Sequence, residues 1–200
     1  MSYNDAIDRI LAIEQEAVAS LRESLDREVC ARLIDLLIAT RRNGKKVITS
    51  GCGTSGVAAQ HIAHLLNVAR IPAFYCSPAG SIHGDLGAVC AGDVVVLISK
   101  SGKSPEMTAF LPVCRAVGAT VVAVSQNDAS LLAREADVYF RVYTAREADV
   151  WNMCGSASAG AVCAAWDALI FTAMESMGMT KEELLLIHAG GGVGAALRGE

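Results

Sequence analysis

Two hundred residues, 52% hydrophobic but only 5% aromatic, with a net charge of −4 at pH 7, fit one α/β domain with a core of Ala, Val, Leu and Ile. The acidic balance excludes a general nucleic-acid surface, which needs a basic face, so an anionic ligand has to be met by local groups. Seven scattered cysteines without a C-x-x-C pair, an N-terminus unlike a leader and the lack of an uninterrupted apolar run of about 18 residues lead to the expectation of a cytoplasmic protein with no membrane partner.

In chain order, Ile7, Ile10, Leu11, Val18, Leu21, Leu25, Val29, Leu33 and Leu36 recur at spacings of three and four between charged residues. That spacing predicts amphipathic helix over residues 3–42, with a break near Asp26. Forty residues of mixed charge leave no room for a helix-turn-helix and a linker. This front end, residues 1–44, is expected to pack on the rest of a single domain spanning 1–200 and on a partner subunit. Arg41, Arg42, Asn43 and Gly44 close it with a basic last turn and a glycine stop. An apolar run from Val47 to Thr49 then delivers Gly51, Gly53 and Gly56 into a helix read as Val57–Ala69. Further strands are read at residues 72–76, 94–99, 120–124 and 138–142. Between them lie a loose stretch over residues 77–93, a helix capped by Ser104 and opened by Pro105 that runs to Val117, and a short helix around Leu131. Five such steps with near-continuous Val and Ile strands predict an α/β fold with a parallel sheet covered on both faces. Residues 155–178 read as a long core or interface helix rich in Ala, Gly and Ser, within which Trp166 packs.

The glycine turn after the first strand lets the backbone take positive φ and approach a ligand, while the free N–H groups and positive end of the next helix favour an anion. Its glycines also spell G-x-G-x-x-G, the dinucleotide pattern. The acid that would hold a ribose is missing, because the first one after the second strand is Asp85. Thr54 and Ser55 put two hydroxyls in the turn instead, which suits a phosphate monoester. The third strand runs into a second loop, with hydroxyls at Ser99, Ser101 and Ser104 around Gly102. In a sheet of order 2-1-3-4-5 these two loops meet where strand order reverses, the place where such sheets bind ligands. The expected phosphate-binding set is Gly53, Thr54, Ser55, Ser99, Ser101 and Ser104, with Lys100 or Lys103 supplying charge. Cys52 reads as a small hydrophobe rather than a nucleophile. His61 and His64 lie three apart on one helix without a third ligand, so no metal site is expected.

Four stretches, GCGTSG, SIHGDLG, ISKSGKS and IHAGGGVGAAL, together resemble the sugar isomerase (SIS) domain family. Within it the chain looks most like the D-arabinose 5-phosphate isomerase group, without the paired CBS domains that normally follow there. The resemblance implies a flavodoxin-like three-layer sandwich with added N-terminal and C-terminal helices, in a homodimer or homotetramer with shared active sites. It implies aldose–ketose isomerisation of a phosphosugar through an enediol, with no cofactor. It matches His83 to the family's H-G-D histidine, His188 to an H-P-G-G histidine contributed by a neighbouring subunit, and Glu147 to the catalytic glutamate after strand five. Such chemistry needs a base beside the carbonyl and an acid for its oxygen, and which of the three is the base stays open. Two positions depart from the group: Thr54 stands where G-x-G-K-S-G has lysine, and Lys103 where S-N-S-G-E-S has glutamate. The sugar is therefore unassigned, and a non-catalytic phosphosugar sensor is the alternative.

Overall fold

The computed structural model describes residues 2–200. The front end is helical as its spacing predicts, but it breaks twice rather than once. Helix α1 (Tyr3–Ala19) starts on Ser2, whose hydroxyl and the Asp5 carboxylate form a reciprocal capping box. A single turn, α2 (Leu21–Ser24), follows. Helix α3 (Arg27–Arg42) starts on Asp26, whose carboxylate accepts from the N–H groups of Glu28 and Val29 at 2.9 and 3.1 Å. Asp26 breaks the helix because its side chain offers the backbone a competing acceptor.

Five parallel strands follow: β1 (Val47–Gly51), β2 (Ala73–Tyr75), β3 (Val94–Ile98), β4 (Thr120–Ser125) and β5 (Val138–Arg141). They lie in the order β2-β1-β3-β4-β5, the order expected of a flavodoxin-like sandwich. β1 runs to Gly51, two residues past its apolar run, because Ser50 and Gly51 still pair with Leu97 and Ile98. The sheet divides the core into two layers. On one face Val47, Val94, Val96, Val122, Val124 and Phe140 pack with residues of α1, α3, α4 (Thr54–Val68) and α9 (Ala157–Ser176). On the other, Ile48, Val95, Leu97, Val121 and Ala123 pack with Met107, Phe110, Cys114 and Leu132, from α6 (Pro105–Thr108), α7 (Phe110–Val117) and α8 (Leu131–Glu135).

Helix α9 is long and apolar enough, at a mean hydropathy of 1.4, to cross a membrane by length and composition. Eight of its twenty residues are buried in the fold. Trp166, Ile170 and Ala173 are completely buried, and the indole meets Phe140 of β5 edge-on at 6.2 Å between centroids. Full burial of a side chain as large as that of Ile170 contributes about 1.5–3 kcal/mol. Residues 181–200 resolve into α10 (Lys181–Ile187) and α11 (Gly191–Arg198), packed mainly on each other.

Candidate active site

The reversal of strand order puts the ends of β1 and β3 side by side, and each end carries one of the two loops singled out above. The first loop turns at Gly53, whose φ of 55° and ψ of −130° belong to glycine. Helix α4 then begins at Thr54, three residues earlier than its apolar spacing predicts. Thr54 and Ser55 therefore present first-turn N–H groups, and no side chain caps them. A Cβ at Gly56 would lie 2.6 Å from the Gly51 carbonyl oxygen, so the last glycine is demanded by helix–strand contact rather than by a ligand.

The second loop is braced from within. The hydroxyl of Ser99 accepts from the Gly102 N–H at 3.2 Å and lies 3.0 Å from that of Ser104, while Ser101 Oγ accepts from the Lys103 N–H at 3.2 Å. Gly102, at φ 65°, is pressed so closely on Ser130 that a Cβ there would collide with its hydroxyl. The turn sends the two lysines in different directions. Lys100 joins Ser55, Ser99, Ser101 and Ser104 in lining one open cleft with Cys52, Ile98 and Gln126. Lys103 and Thr54 are exposed at its margin. Burial, with Glu106 adding to it, pushes the Cys52 thiol up, away from a nucleophilic thiolate.

Glu147 lies next to this cleft. Its side chain is 1% exposed against 35% for Lys100, whose ammonium donates to Oε1 at 2.5 Å. Ser158 Oγ donates to the same oxygen, and the N–H groups of Ser156 and Ser158 donate to Oε2 at 3.0 and 3.1 Å. The carboxylate thus serves as the anion at the N-terminus of α9, where the helix dipole favours it. Burial alone would raise the Glu147 carboxyl, but the hydrogen bonds from Lys100, Ser158 and Ser156 outweigh it and hold the acid below the usual carboxylate range. A second buried pair, Lys46 Nζ to Asp93 at 2.7 Å, sits at the opposite end of the sheet, where β1 and β3 begin. Its carboxylate also accepts from the N–H groups of Cys90 and Lys46, and its place away from the cleft marks it as structural.

Among the described residues, no histidine lines this cleft. His83 is exposed in the loop between α5 (Pro78–Ser81) and a 3-10 turn at Asp85–Ala88. His188 ends α10 and lines a separate cavity with His64, Asn67 and Val68 of α4. His64 is ten residues along α4 from Thr54, a rise of roughly 15 Å. His61 pairs with Asp167 of α9 at 2.7 Å, and no cluster of metal-binding side chains occurs among the described residues.

Three residues that sequence reasoning does not single out complete the site. Ser156 and Ser158 belong to a run of small residues that reads as helix packing. Gln126, just past β4, matches no motif, yet it lines the cleft, and its Oε1 is buried without a hydrogen-bond partner among the described residues. The one available signal is position: Gln126 follows directly on a sheet strand at the ligand-binding end.

Comparison with known proteins gives a consistent set of relatives. Residues 42–171 match the SIS domain. Arabinose 5-phosphate isomerase KdsD of Shigella flexneri is 31% identical over 195 residues, covering 98% of this chain and 58% of that protein. The chain thus spans 58% of the length of that curated relative. A Listeria monocytogenes structure described as a candidate sugar-phosphate isomerase superposes with a TM-score of 0.91 at 35% identity, covering 95% of this chain and 100% of that one. An Escherichia coli CFT073 protein solved in complex with arabinose 5-phosphate gives a TM-score of 0.87 at 29% identity, covering 94% of this chain and 100% of that one.

Proposed function

The chain belongs to the SIS domain family, and from that premise we propose that it is a phosphosugar isomerase, interconverting an aldose phosphate and a ketose phosphate by proton transfer through an enediol. The observation that carries this reading is the convergence of Ser55, Ser99, Ser101, Ser104 and Lys100 on one cleft at the switch point of the sheet. Hydroxyls and free N–H groups of the Gly53–Ser55 turn and the Ser99–Ser104 loop take the phosphate, and Lys100 brings positive charge into the cleft. The sugar extends toward Glu147. His83 and His188 move the protons, His188 from a neighbouring subunit, in an assembly of two or four SIS domains each spanning residues 1–200.

Incubating a panel of four- to seven-carbon sugar phosphates with the protein in heavy water tests the reaction. The expected result is isomer formation with deuterium entering at the carbon beside the carbonyl for at least one member. The departures at Thr54 and Lys103 favour a second reading, a phosphosugar sensor. Binding of a panel member without turnover or deuterium uptake would support it over the enzyme.

The phosphate site has its own test. Phosphosugars are expected to raise the melting temperature while their dephosphorylated counterparts do not, since a ligand that binds only the folded state stabilises it by mass action. Replacing Ser55 and Ser101 together by alanine should remove most of that shift. An unchanged shift in the double variant would place the phosphate elsewhere.

A further inference from the structure

Thr54 and Lys100 stand at the ends of β1 and β3, in the two segments that meet at the switch point, and of these two residues only Lys100 carries charge. The structure brings the two positions to one place. Thr54 Oγ1 would be only 2.7 Å from a Cβ on Gly155, the residue before Ser156, whose N–H binds Glu147. Position 54, in the first turn of α4, thus touches the segment whose N–H groups hold Glu147, while Lys100 touches the carboxylate itself.

The hydrogen bonds of that carboxylate point to its task. Each Glu147 oxygen accepts two hydrogen bonds, so the roughly four lone-pair sites of a carboxylate are filled. A carboxylate so occupied is a poor collector of a further proton and a good anchor for a cation. The ammonium it anchors has three donors, and among the described residues Glu147 is its one hydrogen-bond partner. The remaining donors belong to a side chain that lines the cleft beside Ser55 and Gln126.

We propose that Lys100, on the serine loop, is a catalytic residue whose ammonium faces the cleft, and that Glu147 is the residue that positions it. This rests on the isomerase reading and adds an assignment at the reacting end of the sugar. When the base removes the proton beside the carbonyl, the C–H electron pair becomes the enediol double bond and negative charge develops on the carbonyl oxygen. The Lys100 ammonium donates a hydrogen bond to that oxygen. Return of the proton to the neighbouring carbon, with transfer of the hydroxyl proton between the two oxygens, completes the isomerisation without net oxidation, and the ammonium ends as it began. A charged donor held in advance where charge develops is worth roughly two to three orders of magnitude in rate.

The test uses whichever panel sugar phosphate the unaltered chain isomerises, and compares Lys100→Asn with the double variant Thr54→Lys/Lys100→Asn. The single change should lower kcat about 100- to 1000-fold with KM within a few-fold. The double change, which returns an ammonium to the same carboxylate, should recover at least tenfold of that loss. A KM increase at unchanged kcat would make Lys100 a phosphate ligand and overturn the assignment. So would a near-normal kcat in Lys100→Asn, or a folded double variant no faster than the single one. If Lys100→Asn fails to fold, the kcat of the double variant decides: within about tenfold of the unaltered chain supports relocation, and 100-fold or more below it does not. Absence of turnover by the unaltered chain across the panel would sink the isomerase reading and this one with it, whereas an active parent with an unaffected Lys100→Asn sinks this one alone.

Discussion

Replacing Glu147 by glutamine is expected to destabilise the protein by about 3 kcal/mol at neutral pH, the low end of the range for breaking a buried ion pair from one side. The low end applies because Lys100, with 35% of its side chain exposed, can turn toward water, and a glutamine amide oxygen in place of Oε2 can still accept from both the Ser156 and Ser158 N–H groups, so that the ammonium alone loses its acceptor to the amide NH2. For a chain of 200 residues this corresponds to a fall in melting temperature of roughly 6–12 °C. The pH dependence has a definite sign. The folded-state value of Glu147 lies below that of an ordinary carboxyl, so its stabilising contribution is fully present above about pH 4.3, the unfolded value, and is lost as pH falls through the folded one. The gap in melting temperature between the parent and Glu147→Gln should therefore be steady from pH 7 to about 5 and narrow below about 4. A gap that stays constant down to pH 3, or one under a degree at pH 7, would mean that the charge of this carboxylate does not hold Lys100.

Signals confined to neighbouring residues were legible in the sequence, and those that depend on the path of a loop were not. The Val and Ile runs, the glycine turn at Gly51 to Gly56 and the Ser99–Ser104 loop lie within single elements, and the order of the sheet places them together. That Lys100 lines the cleft and Lys103 does not depends on the turn at Gly102, which is fixed by contact with Ser130, a residue of a different loop. Glu147 stands out in the sequence only through the family resemblance, and the donors around its carboxylate are hidden there. Ser156 and Ser158 reach it only because residues 148–155 fold back, with the Asp149 carboxylate accepting from the N–H groups of Trp151, Met153 and Cys154 and Asn152 taking φ 57°. No local periodicity encodes such a path. The same limit applies at the helix ends: Thr54 and Ser55 carry no apolar signal, yet the free turn at Gly53 starts α4 there.

The histidines set the last and largest expected effect. His188→Gln is expected to slow isomerisation by about two to four orders of magnitude, the span of a lost acid–base group, and the Ser55→Ala/Ser101→Ala variant should also be inactive. Mixed, unfolded and reassembled together, the two inactive proteins should recover activity. The geometry behind this is the separation of His188 from the serine cleft within one subunit, where it lines a cavity near the far end of α4. α10, which carries His188, has no buried residue, and Leu186 and Ile187 are 75% and 47% exposed. An amphipathic pair of short helices held mainly by each other is suited to lie on another copy of the chain and bring the imidazole to that copy's cleft. In a two-fold dimer, random pairing makes half of the dimers mixed, and each mixed dimer has one site with both lesions and one with neither, so about a quarter of full activity should return. Recovery near zero, with mixed oligomers demonstrated by differential labelling, would assign His188 to its own subunit and require α10 and α11 to move across α4 to reach Lys100.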